Sequence, residues 1–297
     1  MELRQLFLKE KVEILTLDEL KRTVNAKDMG YTSRTRPVSH FQFIEDLSRI
    51  LTEAGHTFEL DHIYCAKSAG TKLIPKIEDE LGVKQVLEAF LLDKVTGKFI
   101  MKHLSTSNTE LSACIAFSYH DKGLDLAFGS HVWDCTNMSI FGENVMHTYG
   151  SKKDVNYPRM LEVFSDWCNN LEAMHRRDLA IIESMKRMTV TGMEMLRFIG
   201  KLMVRAVEAN MGMKVVAPLN VTQVGEVTRG IINLKGEKFY DGPDCTLWEF
   251  YNFMTFVIKG NRSDITTLIT DNVAIGNMMV EEYNIQPTID VVDLNEE

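Results

Sequence analysis

Between Ala116 and Thr148 the chain reads AFSYHDKGLDLAFGSHVWDCTNMSIFGENVMHT, two apolar-alternating runs folded about one reverse turn. Alternation of apolar and polar positions on either side of a short polar turn is the signature of an antiparallel hairpin with one face buried. The run Leu111 to Ser118, which contains Cys114, reads as a strand that turns at His120-Asp-Lys-Gly123 into Leu124 to Phe128 and then His131 to Cys135. Upstream, Phe90 to Asp93 and Lys98 to Met101 read as runs flanking a Val95-Thr-Gly97 turn. The middle of the chain is therefore expected to be an antiparallel sheet.

Helical signals lie on both sides of it. Ser39 with Gln42 three residues on makes a capping box for a helix carrying Phe43, Leu47, Ile50 and Leu51 on one face, with Gly55 in the stop position. Pro37 keeps the polar loop Tyr31 to Ser39 out of that helix. After Pro158, Leu161, Phe164, Cys168, Leu171 and Met174, then Leu179, Ile182 and Met185, recur at helical spacing and predict one long amphipathic helix. Thr191 and Glu194 cap a second, with Met195, Ile199 and Met203 facing inward and Asn210 with Gly212 ending it. A further helix starts near Asn220, and Thr246 with Glu249 caps Leu247 to Lys259, which stops at Gly260. The expected fold class is α+β, an antiparallel sheet in the N-terminal half packed against a mainly helical C-terminal half. Its organisation reads as a lead-in and basic loop (1–38), an α+β sheet domain (39–157), a helical region packed on the sheet (158–280) and an acidic tail (281–297).

Composition excludes several classes. With 45% hydrophobic and 25% charged residues in 297, the chain can build a real core and is not disordered. Its net charge of −9 opposes a surface dominated by phosphate contacts. Six of the 42 acidic residues sit in 281–297 with no Lys or Arg, so the first 280 residues carry 36 acidic against 33 basic side chains. The five cysteines are an odd number with no CxxC pair, and no signal-peptide core opens the chain, which places the expected location in a reducing cytoplasm. No apolar run reaches the ~18 to 20 residues of a membrane span, so no membrane partner is expected.

Cys114, His120, Asp121, His131, Asp134, Cys135 and His147 carry the atom types of a metal site. Zinc ligands normally come in tight pairs that place two on one turn, and none is present; His131 and Cys135 share a strand face but lie about 13 Å apart along it. No metal is expected. A nucleophile drawn from Cys114 or Cys135 with a neighbouring His is opposed by burial, which raises a thiol's pKa. Neither Gly70-Thr-Lys nor Gly97-Lys completes a phosphate-binding loop, and GxGxxG and HExxH are absent. No catalytic residue and no cofactor are therefore expected.

Arg197, Lys201 and Arg205, spaced i, i+4, i+8, fall on one helix face with no acidic residue between Met195 and Ala206. Lys186 and Arg187 close the preceding helix, and Arg34 with Arg36 adds a basic loop. Together these are candidates to line a groove for a nucleic-acid backbone, with Tyr31, Phe41 or Trp133 available for base stacking. The competing reading is a solvated helix face, which charge spacing alone favours because the region from Pro158 to Ala209 is nearly neutral.

The run SYHDKGLDLAFGSHVWDCTNMSIFGENVMHT resembles the central motif of the phage- and plasmid-borne proteins grouped as domain of unknown function 932, in which a "shD" turn leads to "G...V.vC.N..fsGe" and then "HT". Leu247 to Lys259 is similar to that family's "lW..yNa.T...K" segment, and Pro37-Val-Ser-His40 fits its helix opening. His120, Asp121, Cys135, Asn137, Gly142, His147, Trp248, Tyr251, Asn252 and Thr255 carry the match. From Ser151 to Ala217 no stretch matches, so the basic stripe gains nothing from it. The resemblance implies a mobile-element protein of phage or plasmid DNA metabolism, with single-strand annealing by ring oligomers as the role it suggests. The expected function is that of a phage- or plasmid-encoded, non-catalytic DNA-binding protein with single-stranded DNA as partner and self-association into a homo-oligomer, favoured by seventeen adaptable methionines. The alternative, from a different class, is a phage protein that binds and inhibits a host defence complex, its acidic surface meeting a basic partner.

Overall fold

Strand-forming runs in the first half pair into one sheet. A computed structural model describes residues 12–22, 38–66, 94–106, 111–120, 123–132, 140–149, 157–215, 217–235, 245–260 and 268–286. The strands are β1 (Val12–Leu15), β2 (Glu59–Leu60), β3 (Ile63–Ala66), β4 (Lys94–Ser105), β5 (Leu111–His120), β6 (Gly123–Val132) and β7 (Ile140–Tyr149). Their order is β1-β3-β4-β5-β6-β7, with β2 also on β4, and every pairing is antiparallel.

The expected hairpin is β5–β6, in unbroken register from Leu111↔Val132 to His120↔Gly123. Its second strand is one run through 123–132 rather than two, because Gly129 and Ser130 stay in the ladder opposite Cys114 and Ala113. Val95-Thr-Gly97 is not a turn. It lies inside β4, where Gly97 faces Phe117, and a Cβ there would stand 2.7 Å from the Phe117 ring. This glycine makes room for an aromatic side chain rather than for a chain reversal. Phe90 to Asp93 lie outside the described residues.

The sheet is also covered more completely than alternation predicts. Residues 111–119 of β5 are all buried. On one face Phe43 of α2 (His40–Glu53) meets Phe117 edge-on at 5.7 Å and Tyr119 at 4.9 Å. On the other, Ile100, Cys114, Ala116 and Ala127 form a separate apolar cluster with Ile269 and Val273 of the last helix. A central strand buried on both sides loses its polar positions, which is why its sequence reads as small and apolar almost throughout.

The short helix α1 (Leu17–Arg22) precedes α2, and after the sheet come α3 (Tyr157–Asn169), α4 (Leu171–Arg187), α5 (Gly192–Asn210), α6 (Val221–Lys235), α7 (Leu247–Gly260) and α8 (Leu268–Glu282). A two-stranded ribbon, β8 (Thr189–Val190) with β9 (Cys245–Thr246), ties the start of α5 to that of α7. The single long helix expected after Pro158 is two, broken at Asn170, whose φ of −110° and ψ of 9° leave the helical region. Cys168 and Leu171 are both buried on either side of the break, so the apolar period runs through it unchanged.

The caps set the remaining boundaries. Thr191 and Glu194 complete their box, with Thr191 N–H donating to Glu194 Oε2 at 2.8 Å and Glu194 N–H to Thr191 Oγ1 at 3.3 Å. Thr246 and Glu249 repeat it at α7, as do Asn220 and Gln223 at α6. At α2 the box is half made: Ser39 accepts from the Gln42 amide, but the Gln42 side chain donates to Asp46 instead. Gly55 and Gly212, at φ of +84° and +82°, follow α2 and α5 in the left-handed conformation that suits glycine. Met195 and Ile199 are buried as expected, while Met203 is only partly so.

Candidate nucleic-acid interface

The core face of α5 is Met195, Phe198, Ile199, Leu202 and Ala206, which turns the basic stripe outward. Arg197 and Lys201 are exposed and Arg205 is half-buried. Successive cations rise about 6 Å along the axis. The stripe is not bare. Lys201 Nζ is ion-paired with the Glu282 carboxylate from the last turn of α8. That turn is fixed from several sides: the Tyr283 ring tilts against Phe198 at 6.1 Å, Tyr283 O–H donates to Glu194 C=O at 3.4 Å, and Ser184 O–H donates to Gln286 C=O at 2.7 Å. Ile285 is buried beyond it. The acidic segment that begins at 281 therefore starts inside a packed helix.

Lys186 and Arg187 occupy the last turn of α4, where cations offset the negative end of the helix dipole. Lys186 also pairs with Glu183 at 3.1 Å. Of the stacking candidates, Phe41 lies on α2 under the Lys21 ammonium, 5.1 Å from its ring centroid. Arg34, Arg36, Tyr31 and Trp133 lie outside the described residues.

Among the described residues, the members of the His/Cys/Asp set do not gather around one point. His120 pairs with Asp125, Nε2 to Oδ2 at 3.3 Å, while Cys114 is fully buried opposite Ile100 and Gly129, its thiol pushed up to about 12 by burial. At that value it is neither a nucleophile nor a ready ligand. The His147 backbone lies opposite Asp125. Asp121, Asp134 and Cys135 lie outside the described residues. Among the described residues, no group of three or more His, Cys, Asp or Glu is placed to hold a metal ion.

His131 belongs to a group that sequence reasoning missed. Its Nδ1 lies 3.0 Å from Lys98 Nζ, which is itself 3.5 Å from Asp61 Oδ2. The Lys98 side chain is 2% exposed. Burial pushes its ammonium pKa down and the Asp61 carboxylate opposes that push. Burial, reinforced by Lys98, drives the His131 imidazole down to about 3, so it is neutral and its Nδ1 accepts from the lysine. Burial raises Asp61, but the Lys98 charge and hydrogen bonds from His62 outweigh it and hold the carboxyl below its usual range. The group satisfies a buried cation. Its only sequence signal is a lysine, Lys98, set directly before the apolar run Phe99-Ile-Met101.

Of the residues that carry the resemblance, those of β7 and α7 have structural places. Trp248 and Tyr251 stack at 5.4 Å and 15°, and both meet Phe141 of β7 edge-on, at 5.9 and 5.3 Å. Thr255 O–H donates to Asn252 C=O one turn back. A Cβ on Gly142 would lie 2.1 Å from Phe128 C=O, so glycine there permits a close backbone approach where the β6–β7 register shifts. The two motif islands thus meet in the core through β7 and α7. Asn137 lies outside the described residues.

No family model, curated protein or solved structure matches the chain. Nor is any helix among the described residues long and apolar enough to cross a membrane.

Proposed function

We propose that this protein binds single-stranded DNA without catalysis, setting Arg197, Lys201 and Arg205 of α5, with Lys186 and Arg187 at the end of α4, against phosphates. The observation that carries the reading is the Lys201–Glu282 ion pair. The middle cation of the stripe already holds an oxyanion, and it is supplied by the segment that concentrates the chain's negative charge. A carboxylate there competes with a phosphate for the same ammonium, so the acidic segment tunes affinity and DNA release. The basic pair Arg34 and Arg36, outside the described residues, is proposed as a further source of phosphate contacts. The resemblance of residues 116–148 and 247–259 to mobile-element proteins gives this binding a setting in phage or plasmid DNA metabolism, with single-strand annealing as the activity.

The test is binding of the full chain to single-stranded oligonucleotides across a salt series. Affinity should fall with salt, and the log–log slope should become shallower by about 0.7 for each phosphate contact removed in Arg197→Gln, Lys201→Gln or Arg205→Gln. Glu282→Gln, which keeps the side-chain shape and removes the competing charge, should tighten binding at low salt by up to about fivefold. No binding at low salt overturns the reading and shifts it to a host protein complex as partner.

A further inference from the structure

The apolar side chains left in solvent are not scattered. Of nine large hydrophobics that are exposed among the described residues, only Ile14 lies away from α5, the link that follows it and α6. Met193 in the first turn of α5 is 61% exposed and Met211, its C-cap, 69%, with Val204 and Val207 between them. These four point directly away from the core face. Alternating steps of four and three residues run Met193, Arg197, Gly200, Val204, Val207, Met211, which is the a/d repeat of a two-helix seam. Gly200 is an open notch in that seam, with nothing within 4 Å of where a Cβ would stand.

The spacing of the seam is the same from both ends. Under a two-fold axis at the level of Leu202, Met193 falls opposite Met211 of a second copy, Arg197 opposite Val207, and the Gly200 notch opposite the Val204 isopropyl group. The charges agree with the spacing. Arg197, which is exposed and whose charge acts on Glu194 one turn back in its own chain, comes to lie beside Glu208 of the second copy. Lys201 would meet its own equivalent near the axis, a repulsive contact, but Glu282 already neutralises it in each copy.

We propose that a second copy of this chain docks on this face, with the two α5 helices packed antiparallel about that axis. A self-complementary order of large, small and charged positions is what an isologous interface requires, and an unrelated partner has no cause to match it. The inference goes beyond the DNA-binding reading and does not depend on it: in the pair Arg197 turns to Glu208 of the second copy, and Lys201 and Arg205 keep the phosphate-facing flank. The symmetry brings the basic flanks of both helices to one side of the pair.

Particle mass of the full chain, measured over a concentration series, tests it. A dimer is expected for the native sequence. Val204→Asp, at a position with no part in the core, should weaken self-association at least about tenfold while leaving the circular dichroism and melting temperature unchanged. Arg197→Glu and Glu208→Arg should each weaken it, and the double exchange should restore much of the loss, an effect that a role within one chain does not produce. A single-chain mass at all concentrations up to about 0.1 mM overturns the proposal, since a specific interface assembles well below that. It is equally overturned by an oligomer whose mass ignores Val204→Asp, or by a double exchange no better than its single variants.

Discussion

At the scale of single residues the buried ionisable groups make the fold sensitive to acid. His131 is held down to about 3 and His175, whose Nδ1 lies 2.9 Å from Ser130 Oγ, down to about 4, both chiefly by burial. Each stays neutral when folded, while the unfolded chain takes up a proton below about 6.5. The unfolded state then binds more protons, so stability falls as pH drops from about 6.5 towards 4, by up to about 1.4 kcal/mol per pH unit for each histidine. Asp61 works in the same direction at lower pH, because its depressed carboxyl must be protonated as pH falls through its folded value. Urea unfolding between pH 7.5 and 4.5 checks this, and His175→Gln should make the slope distinctly shallower.

At the scale of elements, what was legible in the sequence was whatever local chemistry decides. The caps at Thr191 and Thr246 are local hydrogen bonds between residues three apart, and spacing alone finds them. The break at Asn170 was not legible, because Cys168 and Leu171 keep the helical period across it. Gly97 looked like a turn residue for want of Phe117, which lies 20 positions away in sequence. The α8 helix carried no clean amphipathic stripe because it buries more than one side: Ile269 and Val273 join the cluster under the sheet, while Ile275 and Met279 join the main core. Of the candidate interface, the α5 stripe and an acidic tail able to compete for it were legible, but which carboxylate meets Lys201 was not: Glu282 lies 81 residues away. Gly142 belongs to the same class of long-range demand. Gly142→Ala places a methyl carbon 2.1 Å from Phe128 C=O in the register-shifted stretch of β6–β7. Relief requires backbone movement, so we expect a loss of about 3 kcal/mol or more in chemical denaturation.

At the scale of the whole molecule, the C-terminal acidic segment begins as part of the packed fold. Tyr283 and Ile285 pack against the core, one and three residues beyond the Glu282 carboxylate that holds Lys201. Removing 281–297 should therefore lower the melting temperature by several degrees through loss of Ile285. Glu282→Gln keeps the Tyr283 and Ile285 side chains, so comparing it with the truncation separates packing from charge in any binding measurement. The position of α8 has a further consequence, for synthesis. The helix that covers the second face of β5 comes from residues 268–282, so a ribosome must add more than 130 residues after Val132 before Ile269 and Val273 can close over Ile100, Cys114, Ala116 and Ala127. At about 5 to 20 residues per second the nascent sheet waits many seconds with that face uncovered, which makes this small apolar patch the surface that a chaperone would meet first.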